Sequence, residues 1–579
     1  MYRHIRRVKR ERLKAISRAV AAVIIVVVLV VAGLGVYFLA APPAAPPTPT
    51  TAVVTVEKPV TVVQTIVQPG TTIVATQTRV ETVVTQTVVT ASPTTPAAPP
   101  EKKVTWATIA GFYTDWAAEV AKEFEQRTGI KVEIIPIDYS VLYEKQMIEL
   151  AGHTGAYDIV TIESMCISEW AAAGWLEPLS KYIERDADEV QYEDILPHFR
   201  WVIEWNNTVW ALPYYTYDHG IFYRADAYEN PTYQQWFKEW VEKPETKKWW
   251  SEWREFAIKR AKAEAECSVE PLPKYCPPKE IPIKELRRPG PELTWWDMLV
   301  YAKFWWEEER DPFPYGIGLM AGPVESNDEW MSIMWSLGGT QFGPDYSITA
   351  NATPGVMAME IYVEMVKYAP PGALASSYDE VVAQFQQGLI PNTGPLYLDQ
   401  WPNVAKTADL IPGAKPEPAA PVGGKGYIGT FALGMASASK RKEYAWEFLK
   451  FITGPEGQYK FAKGGGSTCR RSVLLNPEFD PDKNPATWRY TAHYKKLAEI
   501  ADLLYKWEPE WQRLDPIFNI PTACKFYLES KVKIGAIAAG QLTPKGGLDS
   551  LALAYATILG WGYPVPSMKP PSWWKPPPS

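Results

Sequence analysis

Glu163 and Ser164 carry the first chemical signal in this chain. They follow the apolar run Tyr157-Asp158-Ile159-Val160-Thr161 and precede Glu169-Trp170 and Ala173-Gly174-Trp175-Leu176-Glu177-Pro178-Leu179. The run predicts a short strand; Gly174 stops the helix behind it, and Pro178 forbids further helix. Ligands of open α/β sheets bind just past the carboxyl ends of strands, which is where Glu163 and Ser164 fall. A carboxylate beside a hydroxyl there can hold a hydroxylated ligand. No GxSxG, HExxH or Walker pattern occurs anywhere in the chain, so the chemistry read here is capture, not catalysis.

Composition narrows the class of ligand. The 579 residues exceed what one core accommodates, so two or more domains are expected. Net charge is −7 and no basic run follows residue 20, which argues against nucleic acid as a partner. Aromatic residues make up 13% of the chain, with 26 Trp and 31 Tyr against 5 His. Two readings of that excess stay open: an aromatic-rich core, or a surface that covers flat apolar faces such as those of sugar rings. The five cysteines form no CxxC and no zinc set, and no cofactor motif is present. Cys267 and Cys276 flank a Pro-rich loop and can close a local disulfide. Cys469 with Cys524 is the expected second pair, which leaves Cys166 free, in a setting outside the cytoplasm.

The elements that must position the site begin at Lys103. Val104 to Ile109 reads as a strand, Asp115 to Phe124 as a helix stopped at Thr128-Gly129, and Ile130 to Ile135 as a second strand. Leu142 to Leu150 is helical and Tyr157 to Ile162 is the third strand. This alternation predicts a parallel sheet covered on both faces. Residues 230–291 break the rhythm with Trp236, Trp240, Trp249, Trp250 and Trp253, then Pro271, Pro273, Pro277 and Pro278. They read as a surface insertion, either extra packing on one lobe or a surface for a partner or for gating. Thr294 is the expected N-cap of a helix at Trp295. Tyr315 to Leu319, Leu396 to Leu398 and Thr430 to Met435 read as strands. Helices are expected at about 326–337, 354–368, 377–388, 443–452 and across 526–560.

The N-terminus belongs to a different environment. Arg3, Arg6, Arg7, Lys9, Arg10, Arg12, Lys14 and Arg18 lie in a basic segment, 1–18, ahead of the unbroken apolar run 19–41. Roughly 20 apolar residues span a bilayer as a helix, and the basic cluster stays inside. The expectation is a single-pass anchor with the rest of the chain outside the cell. A cleaved secretory signal fits less well, because its apolar region is about 7–15 residues long. A third reading takes Lys14-Ala15-Ile16-Ser17-Arg18 as similar to an archaeal pilin-type processing site, cut between Ala15 and Ile16 with the helix kept. Residues 42–102, rich in Pro, Thr and Val, read as a stalk without a core, stiff at its Pro-rich ends. Its Thr/Val middle can pair with itself or with other copies. If flexible, the stalk spans roughly 45 Å. The Pro-rich tail, 568–579, is expected to be disordered.

Several ordered motifs now resemble one family. They are Tyr157-Asp158-Ile159-Val160 with Gly174 to Leu179; Ala211-Leu212-Pro213-Tyr214 with Gly220 to Asp226; Leu293-Thr294-Trp295-Trp296-Asp297; Leu337-Gly338-Gly339; Phe385-Gln386-Gln387-Gly388; and Glu443 to Ile452. Their order and spacing over 103–560, apart from 230–291, resemble the family 1 extracellular solute-binding proteins, the maltose-binding-like receptors of ATP-binding-cassette (ABC) importers. The resemblance implies a periplasmic-binding-protein-like α/β fold of class II type over 103–567, with two lobes joined by crossing segments. It implies no enzyme activity, a carbohydrate, oligosaccharide-like ligand held between the lobes, and an ABC permease with its ATPase as membrane partners. Ligand contacts in the family come from strand ends in both lobes. That assigns Thr114 and Asp115 after the first strand, Glu163 and Ser164 after the third, and Tyr217 and Asp218 near the crossover. It adds Asp328 and Trp330, Asp399 and Trp401 (the latter for ring stacking), Tyr427 in a Gly-rich loop, and Arg470. Met165-Cys166 stand where maltose-binding members carry a charged pair, so maltose itself is not expected. Two other readings remain: a surface glycoside hydrolase, in which Glu163 and Asp399 would form the carboxylate pair, and a pilin-like assembled surface protein bearing a binding head.

Overall fold

The computed structural model describes residues 56–68, 71–83, 102–307, 312–506 and 515–560, so the basic segment, the apolar run 19–41 and the tail 568–579 lie outside the described residues. Two compact units emerge, 1–99 and 100–579. In the first, β1 (Val56–Gln68) and β2 (Thr71–Val83) pair antiparallel from Val56 opposite Val83 to Gln68 opposite Thr71. The Thr/Val-rich segment 56–83 thus pairs with itself, as β-branched residues favour. Among the described residues, no helix is long and apolar enough to cross a membrane.

The second unit opens with β3 (Lys103–Ile109), α1 (Phe112–Thr128), β4 (Lys131–Ile137), α2 (Tyr139–Ala151) and β5 (Ile159–Glu163). Helix α1 ends where Gly129 takes the left-handed conformation, as the sequence predicts. Strand β3 pairs parallel with β4 and β5. The sheet then changes direction: β10 (Thr430–Met435) pairs antiparallel with β5 and with β6 (Ala211–Thr216). The sheet is therefore mixed, not parallel throughout, because β10 is a return strand that re-enters from the other lobe. Trp106 locks its centre, donating to Thr161 Oγ1 at 2.9 Å and meeting Tyr214 edge-on at 5.5 Å. Asp158 anchors the start of β5. Its Oδ2 accepts from Thr105 N at 2.8 Å, and Arg441 holds the same carboxylate at 2.8 Å.

The other lobe is built on β7 (His219–Arg224), which pairs antiparallel with β8 (Leu396–Tyr397) and β9 (Pro416–Ala419). Helices α3 (Pro231–Glu242), α4 (Pro244–Ala261), α5 (Trp295–Trp306), α6 (Ser326–Ser336) and α7 (Thr353–Val366) follow in the chain, with α3 packing on α4 and with α4, α5 and α6 each packing on α7. Thr294 caps α5 as expected, in a reciprocal capping box with Asp297. Every residue of α6 is buried. Trp240, Trp250 and Trp253 are buried as well, Trp240 against Phe304 and Trp253 near Trp296, so much of the aromatic excess in 230–291 is core packing. Tyr315–Leu319 forms no sheet strand, only a bridge from Gly318 to Thr393. There Gly316 presses on helix α5: a Cβ would lie 1.8 Å from Ala302 O. The chain ends with α8 (Lys442–Thr453), α9 (Trp488–Lys506), α10 (Ala523–Ala538) and α11 (Pro544–Leu559).

The cysteine pairing differs from the sequence expectation. Cys267–Cys276 closes as predicted, but Cys524 bonds Cys166, and Cys469 is free and buried. The reason is placement. Cys469 sits in the first lobe, where its neighbour Leu196 N donates to its carbonyl, while the first turn of α10 lies on the loop after β5.

Candidate ligand-binding cleft

Two crossing segments lie side by side between the lobes. Tyr217 and Asp218 connect β6 to β7, and Tyr427 to Gly429 lead back into β10. They are sewn together by Tyr217 N to Gly429 O at 2.9 Å and His219 N to Tyr427 O at 3.0 Å. Asp218 is buried in this seam, accepting from Gly429 N at 3.1 Å and meeting His198 Nε2 at 3.0 Å. Gly429 is required by close approach: a Cβ there would lie 2.3 Å from Tyr217 Cδ2.

Around this seam the fold gathers carboxylates and tyrosines from both lobes. Glu163 is the last residue of β5. Its Oε1 accepts from Tyr217 at 3.3 Å and Tyr427 at 3.2 Å, and its Oε2 from Tyr139 at 3.0 Å. Asp328, on α6 of the other lobe, accepts from Tyr397 at 2.8 Å and Tyr527 at 2.9 Å. The Tyr427 and Tyr527 hydroxyls lie 3.4 Å apart, so one polar chain runs from Glu163 in the first lobe to Asp328 in the second. Asp399 makes another interlobe contact, accepting from Tyr215 of β6 and from Gln400 at 3.0 Å. Lys531 closes the outer side, 3.2 Å from the Tyr139 hydroxyl and 4.2 Å above the Tyr527 ring.

The aromatic faces are ordered. Tyr427 stacks nearly parallel between Trp335 and Tyr527, at 6.4 Å and 6.3 Å. Tyr217 lies against Phe431 at 4.9 Å and meets Tyr397 edge-on at 5.5 Å. Ser332, one turn after Asp328, holds the wall in place: its Oγ donates to Asp328 O and accepts from Tyr427 N at 2.9 Å. With that proton used, His219 Nδ1, 2.8 Å away, must be the donor to Ser332. Burial lowers the His219 pKa to about 3, so the ring is neutral.

Electrostatics keep the site poised. Burial pushes Asp328 up to about 7, reinforced by Glu163 and opposed by Lys531 and the tyrosine donors. Burial first, and the carboxylates second, raise the hydroxyls of Tyr217, Tyr427 and Tyr527 well above their usual value, so they remain donors. A carboxylate offers about four lone-pair positions. Glu163 uses three, one for each tyrosine, and so keeps capacity for a further donor.

The sequence-assigned residues divide into two groups. Glu163, Tyr217, Asp328 and Tyr427 meet in one cluster, with Asp218 fixing the seam behind them and Asp399 in a separate interlobe contact with Tyr215. Ser164 is wholly buried beside Glu163, and its hydroxyl meets no partner among the described residues. Thr114 turns back to cap Ile109 O, and Asp115 is exposed on the first turn of α1. Trp330, Trp401 and Arg470 are engaged inside their own lobes. Trp330 donates to Gly355 O at 3.0 Å, and Trp401 donates to Trp488 O at 2.8 Å and stacks near Phe222. Arg470 donates to Thr453 O, Gln191 O and Val190 O and pairs with Asp194. Helical geometry explains Trp330: at about 100° per residue it lies roughly 200° around α6 from Asp328, so both cannot face the cleft. Sequence reading missed Tyr139, Tyr215, Tyr397, Tyr527, Lys531 and Phe431. Only Asp138, which caps α2 in front of Tyr139, left a local signal.

Comparison with known proteins follows the same outline. The family described as bacterial extracellular solute-binding protein matches residues 106–265 and 292–459. The match therefore takes in helices α3 and α4 and pauses only across 266–291. The mannitol-binding protein of Pseudomonas aeruginosa is 23% identical over 342 residues, covering 58% of this chain and 65% of that one. The chain thus spans less than two thirds of the length of that relative. Among solved structures, a solute-binding protein of an ABC transporter from Agrobacterium radiobacter K84, in complex with ribitol, has TM-score 0.58 at 19% identity and covers 79% of this chain and 98% of that one. The maltose-bound MalE3 protein of T. maritima has TM-score 0.56 at 16% identity, covering 79% and 100%. These likenesses are in the fold.

Proposed function

Because this chain belongs to the bacterial extracellular solute-binding protein family, we propose that it is a surface receptor that captures a sugar or polyol between its lobes and hands it to an ABC permease. The family and fold are those of substrate-binding receptors, not enzymes. The observation that carries the reading is the polar chain from Glu163 through Tyr427 and Tyr527 to Asp328, flanked by stacked aromatic faces. Carboxylates accept strongly from ligand hydroxyls, and rings cover the C–H faces between them. Relatives named for mannitol and for erythritol or L-threitol, and a ribitol-bound neighbour, support a hydroxylated ligand of small size. In this reading the run 19–41 is the anchor and 42–102, with its β1–β2 hairpin, is the tether that lets the head reach the permease from outside the cell.

A thermal-shift screen of the protein against mannitol, ribitol, erythritol and maltose tests the proposal. A rise of several degrees with at least one of them, which is then recovered unchanged, is the expected result. No shift with any of them, or a hydrolysed product, would sink it.

A further inference from the structure

The Cys166–Cys524 disulfide links the two sides of the cleft at the ligand cluster itself. Cys166 closes the single turn Ser164–Cys166 that follows Glu163 in the first lobe. Cys524 lies in the first turn of α10, one turn ahead of Tyr527 and two ahead of Lys531. Beyond that turn α10 belongs to the second lobe: Phe526 packs on Phe342 at 5.2 Å and on Tyr555 at 4.7 Å, and Tyr527 reaches Asp328 of α6. Where α10 and the turn before it meet the first lobe, the disulfide is accompanied by hydrogen bonds, by an ion pair of Lys525 with Glu169 at 3.8 Å and by the packing of Phe518 on Trp201 at 5.1 Å. Ser168 Oγ donates to Ile520 O at 2.9 Å, and Lys525 N reaches Glu169 Oε2 at 3.3 Å. Contacts of this kind are individually weak and can separate when the lobes move. The covalent link, by contrast, joins positions 358 residues apart and cannot be broken by lobe movement.

We propose that the Cys166–Cys524 bridge is a positioning device for ligand capture. It pins the first turn of α10 to the first lobe while the rest of the helix rides on the second, so that closure brings Tyr527 and Lys531 onto Glu163 and Tyr139 along one path. The proposal rests on the receptor reading for its binding consequence and on the fold alone for its mechanical one. It assigns Cys166 and Cys524 as positioning residues, with Tyr527 and Lys531 as the ligand-facing groups they place.

The test uses the full chain with Cys166→Ser and Cys524→Ser together, beside a control carrying Cys267→Ser and Cys276→Ser. Amide hydrogen exchange is followed at residues 523–531 and 544–559, and dissociation is timed for whichever of mannitol, ribitol, erythritol or maltose binds the native protein. Cutting the bridge should speed exchange at 523–531 at least tenfold and leave 544–559 unchanged. It should also speed ligand dissociation about tenfold with association altered less than threefold, and the control should do neither. If the double variant does not fold, the Cys267→Ser, Cys276→Ser control treated with dithiothreitol, which supplies the two electrons and two protons that convert its remaining bridge to two thiols, gives the same readouts. Unchanged exchange overturns the proposal. Faster exchange with unchanged dissociation overturns the positioning role and leaves only a structural staple. If none of the four compounds binds the native protein, the receptor reading fails, and exchange alone decides the tether.

Discussion

At the scale of single residues, burial and hydrogen-bond use separate candidate ligand groups from lobe staples. Glu163 accepts from three tyrosines and retains acceptor capacity, so Glu163→Gln should weaken ligand binding by tenfold or more while shifting the melting temperature little. Calorimetric titration against mannitol or whichever compound the screen selects checks this. Tyr427→Phe removes one donor from the same chain and should act in the same direction, more weakly. Trp401 behaves oppositely. It is fully buried and bonded to Trp488 O, so Trp401→Ala should cost about 3–5 kcal/mol in denaturant unfolding. Ligand affinity of the folded fraction should stay within about threefold. An affinity loss larger than the stability loss would return Trp401 to the ligand site.

At the scale of elements, the crossing segments decide how the lobes meet. Two backbone bonds and the Asp218 carboxylate join them, and Gly429 makes room for the Tyr217 ring. Gly429→Ala must push that ring away from Phe431 and Glu163. The expected outcome is lower stability by a few degrees of melting temperature together with at least tenfold weaker binding, because one displacement disturbs both the seam and the site. Binding unchanged in a destabilised variant would show that Tyr217 serves the seam alone. Strand pairing was only partly legible beforehand. The extent of β10 over Thr430–Met435 follows from its apolar run. Its antiparallel direction does not, since direction depends on where the chain returns from.

At the scale of the whole molecule, buried acids set the pH response. Burial raises Glu325, Asp328 and Glu360 to about 7 and Asp515 to about 6. A carboxyl with its folded pKa above the unfolded value of about 4 binds more protons when folded, so stability falls as pH rises through that window. Glu456 runs the other way. Hydrogen bonds from Arg127 and Lys460 lower it to about 2, and the stability it adds is present above about pH 4 and lost below it. That pair is half exposed and counts for less. Melting temperature should therefore peak near pH 4 and fall toward pH 7. Asp328→Asn should flatten the fall, and an equal slope in that variant would remove Asp328 from the account.

Sequence alone determined what local chemistry can determine. The caps and stops around Thr294 and Gly129, the strands at 104–109 and 430–435, the Cys267–Cys276 loop and the acidic residue at the end of β5 all depend on neighbours a few residues away. The β-pairing tendency of the Thr/Val-rich segment 56–83 belongs with them. Tertiary structure alone decided which side chains share the cleft. Asp328 and Trp330 are two residues apart in sequence, yet a helix turns them to opposite sides. Tyr527 and Cys524 lie far along the chain from Glu163 and Cys166 but meet them, because α10 folds back between the lobes. A pattern read along the chain carries no such distance information, and the candidate site is made almost wholly of contacts of that kind.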